Sequence, residues 1–207
     1  MFGLTDDELR VFRTLSTPQK IQDYLDALPI NHEKDGETCF SPRRVPREQK
    51  AHCLEAALFA GVALWLQGEK PLVITLKTAR GDDDHALALF RLNGYYGALS
   101  KTNHGVLRYR DPIYKTVREL ALSYFNEYFL DDGRKTLQSY SKPLNLRRFG
   151  SAWITAEKDL WHIADTLATH LHLSLIPAQN KPHIRKADPF ERTTYGAVEW
   201  PLSDPRT

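Results

Sequence analysis

Residues 51 to 66, AHCLEAALFAGVALWL, are apolar almost all the way round a helix. A helix of this composition has no polar face to turn toward water, so the rest of the chain must enclose it. Leu54, Ala57, Leu58, Gly61, Val62, Leu64 and Trp65 carry the bulk, and Ala56, Ala60 and Ala63 let neighbours approach closely. Gly68 stops the helix. Pro71 then leads into LVITL, whose β-branched residues predict a strand. HALALFR, from His85 to Arg91, predicts a second, and Tyr95 to Ser100 a third. Asn93-Gly94 between the last two is a two-residue hairpin signal, and the polar segment ARGDDD joins the first two. The expected fold class is therefore α+β: a buried helix packed on an antiparallel sheet, with flanking helices. A chain of 207 residues with 42% hydrophobic side chains can bury one sizeable core, which predicts a single domain over residues 1–207.

The flanks fit this plan. Leu9, Phe12 and Leu15, then Ile21, Leu25 and Leu28, recur at helical spacing and predict a helical lead-in over residues 5–28. Thr5 ahead of Asp6, Asp7 and Glu8 caps the first helix, and Thr17-Pro18 starts the second. Residues 31 to 47 hold no period and read as a loop. Asp111-Pro112 breaks the chain, Thr116 starts a helix expected to reach about Phe129, and Asp132-Gly133 ends it. TLQSY adds a possible strand, and Leu160, Ile163, Ala164 and Leu167 predict a helix from about Thr155 to His170. From Pro177 to residue 207 the prolines and charges predict an irregular tail wrapping the surface or partly disordered.

Charge and cysteine content exclude several classes. Lys and Arg number 28 against 26 Asp and Glu, and the net charge of +2 gives no reason to expect nucleic acid or an anionic membrane as partner. No stretch approaches the roughly 18 apolar residues of a membrane span, and the opening MFGLTDDELRVF lacks the basic flank and apolar run of a secretory signal. A soluble, cytoplasmic protein is the expectation. Cys39 and Cys53 are too few for a disulfide framework or a four-thiolate zinc site, and a reducing compartment would leave both as free thiols.

The chemistry is concentrated between residues 49 and 104. Cysteine becomes a nucleophile as thiolate, which a helix N-terminus and a neighbouring imidazolium both favour. Cys53 stands in the first turn of the buried helix, and His85 opens the second strand. Cys53 could equally be a small buried hydrophobe, and His85 a surface side chain after an acidic loop. The order helix, strand, histidine-led strand and hairpin partner favours a thiol–imidazole pair. A third group must then accept from the imidazole, and Ser100 or Asn103 could supply it.

Cysteine at the head of a buried helix, His85-Ala86 opening an apolar strand, and the following hairpin N-G-Y-Y together resemble the transglutaminase-like branch of the papain-like cysteine enzymes. The resemblance covers about residues 49 to 103. In that family the histidine is commonly followed by Ala-Trp, and the next strand carries an aromatic residue with an aspartate four positions on. Ala86 and Tyr96 fit that pattern, Leu87 stands where the tryptophan would, and the aspartate position falls on Ser100. Asn103 would correspond to the amide variant of the third residue. The family's oxyanion donors are the backbone N–H at the cysteine and a side chain upstream, for which Gln49 is the nearest amide.

The resemblance implies cysteine-dependent acyl transfer or amide and peptide bond hydrolysis, with no cofactor and no metal, on a peptide or amide substrate. A catalytically degenerate peptide- or protein-binding module of the same fold is the alternative, favoured by the missing aspartate and tryptophan. A metal-dependent hydrolase is a third reading, because Asp82, Asp83, Asp84, His85, His104 and His52 include enough ligands for a mononuclear site.

Overall fold

Helix α4 (Cys53–Leu66) sits where its composition demands: every residue from Glu55 to Leu64 is buried. The computed structural model describes residues 1–207, the side chain of Tyr195 excepted. Beneath α4 runs an antiparallel sheet of seven strands: β1 (Leu72–Thr78), β2 (His85–Leu92), β3 (Tyr95–Leu99), β4 (Arg110–Tyr114), β5 (Leu137–Ser141), β6 (Leu144–Asn145) and β7 (His172–Ser174). Their order is β4-β3-β2-β1-β5-β7, with β6 paired to the other end of β1.

The continuous apolar run of β2 follows from its place in the sheet, which is covered on both faces. Successive side chains of a strand alternate between faces. Ala86, Ala88 and Phe90 join Val73 and Leu99 in one core with α4, α1 (Asp6–Thr14), α2 (Pro18–Ala27) and α6 (Trp161–Thr169). Leu87 and Leu89 join Ile74, Leu76, Ala98, Leu137 and Tyr140 in a second core under α5 (Val117–Ser123). Asn93 and Gly94 both take positive φ, 50° and 89°, as the tight hairpin between β2 and β3 requires. Gly97 is constrained more severely: a Cβ there would fall 2.3 Å from the Phe90 ring and 2.7 Å from the Arg110 carbonyl. The register between β3 and β4 shifts at this point, so glycine lets the edge strand close over the hairpin.

Start signals acted as expected. Thr5 and Glu8 form a capping box on α1, Thr17 caps α2 with Pro18 in its first turn, and Thr116 caps α5. Local stops were less legible. The segment read as loop contains a short helix, α3 (Arg44–Glu48), which at five residues is too short to establish a period. The break at Asp111-Pro112 is the edge strand β4, where a proline costs no ladder hydrogen bond. The helix expected to reach Phe129 ends at Ser123 and passes into a 3-10 turn over Phe125–Glu127. The next helix begins at Trp161, after a 3-10 turn over Ala152–Thr155. The tail holds α7 (Pro189–Tyr195), capped by Asp188, and then runs back over the surface. Among the described residues no helix is long and apolar enough to cross a membrane.

Candidate active site

His52 and Glu55 build the start of α4 before Cys53 is considered. Leu54 N–H donates to His52 Nδ1 at 3.1 Å, and the Glu55 carboxylate accepts from His52 N–H at 2.9 Å, forming a reciprocal cap. Glu55 is fully buried, and it also accepts from Phe40 N–H at 2.9 Å, Thr38 Oγ1 at 2.8 Å and Asn31 Nδ2 at 3.2 Å. A buried carboxylate is tolerable only when its lone pairs are filled this way. One charged residue thus ties the loop over residues 31–40 to the helix end that carries the thiol.

The second half of the site comes from the sheet. His85 is the first residue of β2, paired with Leu76, and is buried. Its Nε2 lies 2.7 Å from Ser100 Oγ. Ser100 Oγ in turn donates to the Leu107 carbonyl at 2.5 Å. A carbonyl only accepts, so the single hydroxyl proton of Ser100 is committed to Leu107, and the proton between Ser100 and His85 belongs to Nε2. This fixes the tautomer of His85 and leaves the Nδ1 lone pair as its proton acceptor. The main chain of Ser100 is held by the side-chain amide of Gln22 on α2, which accepts from its N–H at 3.0 Å and donates to its carbonyl at 2.7 Å.

Cys53 is partly exposed, and the imidazoles of His52 and His85 both act on its thiol. Burial alone would push the thiol up, but the two neighbouring imidazoles outweigh it and lower the thiol to about 5. His52 responds in the opposite sense. Burial opposes its charge, yet Cys53 and Glu55 hold the ring up at about 9. Its hydrogen bonds limit that charge. Nε2 lies 2.9 Å from the Thr38 carbonyl, and Nδ1 accepts from Leu54 N–H, a combination that the neutral ring satisfies. A proton added at Nδ1 would face the Leu54 N–H and break the cap.

The remaining expected site residues lie elsewhere. Asn103 does not reach the imidazole: its side chain pairs with the main chain of Trp200, donating to the carbonyl at 2.9 Å and accepting from the N–H at 2.7 Å. Gln49 ends α3 in a left-handed conformation and is exposed; it lines a cleft with Tyr24, Leu28, Pro46 and Arg206, a lining in which Cys53 has no part. The acidic run is engaged in its own turn, where Asp84 accepts from Thr78 N–H at 2.8 Å and Asp82 accepts from Thr136. Among the described residues no three His, Cys, Asp or Glu side chains are arranged to hold a metal ion. The second thiol, Cys39, is fully buried, and burial pushes it up to about 12.

Two contributors escaped the sequence reading. Glu55 is the one charged residue within an otherwise apolar helix, and that isolation was its signal. Gln22 lies beside Ile21 on the buried stripe of α2, where a polar side chain needs an internal partner. No protein-family model matches this chain, and no curated protein sequence matches it.

Proposed function

We propose that this chain is a cysteine-dependent enzyme of acyl transfer or amide hydrolysis, with a transglutaminase-like, papain-like arrangement of its site. The hydrogen bond that orients His85 on Ser100, together with the lowering of the Cys53 thiol by His85, supports this reading most directly. In the proposed reaction Cys53 Sγ attacks an amide carbonyl, and His85 Nδ1 holds the proton released on forming the thiolate. That proton passes to the departing amine as the C–N bond breaks, leaving a thioester on Cys53. Water or a second amine then attacks the thioester, with His85 accepting its proton and returning it to the thiol. Ser100 keeps the imidazole turned so that Nδ1, and not Nε2, faces the sulfur. The Cys53 N–H, which the His52 cap does not use, is the main-chain donor for the developing oxyanion. The free state of both thiols suits a reducing compartment such as the cytoplasm.

The reading is tested by the pH dependence of Cys53 alkylation. A thiolate that forms near pH 5 and shifts strongly upward in His85→Ala supports it; a transition near the ordinary thiol value of about 8.5 that ignores His85→Ala overturns it. One observation favours a non-catalytic binding module of the same fold instead. Ser100 brings no negative charge to stabilise an imidazolium, whereas a carboxylate would. That reading gains if the thiol is activated yet no amide or thioester substrate acylates Cys53 in a chemoproteomic screen.

A further inference from the structure

The segment after α7 is seated on the protein as a peptide ligand would be. Ala197 accepts from Gly105 N–H at 3.1 Å, and Glu199 N–H donates to the Asn103 carbonyl at 2.9 Å, with His104 and Val198 bridged antiparallel between them. These are the main-chain contacts of an added strand. Trp200 is the anchor. Its carbonyl lies 3.0 Å from His32 Nε2 and accepts from Asn103 Nδ2, while its N–H donates to Asn103 Oδ1. Arg206 stacks on its ring at 4.6 Å, and the buried Lys101 ammonium lies 5.8 Å from the ring centroid. Its indole Nε1 is buried with no hydrogen-bond partner among the described residues, so stacking and shape hold the ring.

The residues that hold this segment are chain neighbours of residues that build the thiol site. His32 stands between Asn31, which donates to Glu55, and Glu33, whose carboxylate lies 3.7 Å from His52. Lys101 follows directly on Ser100, the partner of His85, and Asn103 comes two residues after Lys101. The seat is also basic. Arg108 pairs with Glu199 at 2.7 Å, and Lys34 donates to the Asp204 carbonyl at 3.4 Å.

We infer that the strip formed by His32 and residues 101–105 is a peptide-binding seat beside Cys53, at present filled by the chain's own residues 197–207. Its outside ligand is an extended peptide with an acidic residue immediately before a large aromatic one, the pattern that Glu199 and Trp200 present. Main-chain pairing supplies the generic grip, and Asn103 reads the backbone at the aromatic position. The tail then acts as a tethered competitor that must leave before such a peptide can approach the thiol. In connecting the seat to Cys53 this inference rests on the acyl-transfer reading above.

The test uses the full chain and a fluorescein-labelled synthetic peptide corresponding to residues 196–207, with binding followed by anisotropy. A tethered competitor acts at an effective concentration near the millimolar range, so wild type should bind the free peptide at least about tenfold more weakly than Trp200→Ala, whose tail has lost its anchor. The double variant Trp200→Ala/Asn103→Ala should lose the gain, because the seat itself is damaged. Arg206→Ala, an exposed change that loosens the same anchor, replaces Trp200→Ala in the comparison if the latter does not fold. Equal affinity in wild type and the loosened variant, or a gain that survives loss of Asn103, overturns the seat. Alkylation of Cys53 by a bulky peptidyl thiol reagent is read on the same proteins. Peptide binding that leaves this rate unchanged overturns the connection to the thiol, whereas a thiol that is not activated at all overturns the acyl-transfer reading and leaves the peptide seat standing.

Discussion

Ser100 Oγ stands 2.7 Å from His85 Nε2 while giving its own proton to the Leu107 carbonyl, so the hydroxyl can only accept from the imidazole. A neutral side chain thereby performs the orienting task that a carboxylate would otherwise perform, without adding charge. Ser100→Ala should leave the fold intact, because Gln22 holds the main chain of residue 100 and not its hydroxyl. The variant leaves the Nε2 proton unpaired and the ring free to turn. Losing a neutral hydrogen bond of about 1 to 1.5 kcal/mol should slow Cys53 acylation roughly tenfold, and leaving His85 Nε2 and the Leu107 carbonyl buried without partners should separately cost about 1 to 3 kcal/mol of stability each. Pre-steady-state acylation kinetics beside a thermal melt separate the two effects.

The two thiols should differ sharply in reactivity. Cys53 is partly exposed and lowered to about 5, whereas Cys39 is buried and pushed up to about 12. For a thiol the reactive species is the deprotonated one, so lowering its pKa extends reactivity toward acid. Alkylation of the native protein should stop at one thiol, hold an almost flat rate above about pH 6, and fall as pH drops through about 5. Denaturant should expose the second. Intact mass after brief iodoacetamide treatment across pH 4 to 9 checks both parts.

His52 has two tasks that one pair of substitutions separates. Its Nδ1 caps α4, and its ring contributes to lowering Cys53. His52→Asn restores a capping oxygen without an imidazole, and His52→Ala removes both. Alanine should therefore cost about 1 kcal/mol of stability that asparagine largely retains. Both should move the onset of Cys53 alkylation upward by a similar amount, since each removes the same imidazole, while His85 keeps the onset below that of an ordinary thiol. Equal melting temperatures with unequal onsets would contradict this division of labour.

The elements that carry the site were legible because each has a strong local signature. An all-round apolar helix has to be central, and HALALF has to be a strand buried on both faces, so composition placed the two elements, while pairing Cys53 with His85 needed the order of the elements and the family resemblance. The third position was open between Ser100 and Asn103, because the choice turns on where the chain goes after β3. Asn103 is claimed by Trp200, 97 residues later, and no local pattern encodes a partner so distant. Gln49 is itself the left-handed residue that ends α3, and its exposed side chain lines a cleft in which Cys53 has no part, a turn conformation that its spacing from Cys53 does not reveal. Short elements such as α3 and β7 escaped because five or three residues cannot display a period.

Glu55 should be the most costly single residue to lose around the site. Its carboxylate takes hydrogen bonds from Phe40 N–H, Thr38 Oγ1, His52 N–H and Asn31 Nδ2, and water has no access to replace it. Glu55→Ala leaves these donors facing a void. With each buried unsatisfied group costing about 1 to 3 kcal/mol, and some relaxation of the loop, a total loss of about 3 to 5 kcal/mol is expected. For a chain of this size that corresponds to a fall in melting temperature of about 10 °C. Glu55→Gln should cost less, because its carbonyl oxygen still accepts from Thr38 and Phe40, while its NH2 group confronts the donors of His52 and Asn31. The order wild type, Gln, Ala in a thermal melt tests whether the carboxylate holds residues 31–40 against the helix. A Glu55→Ala variant melting within 2 °C (roughly one kcal/mol) of wild type would show that the loop is held by other contacts.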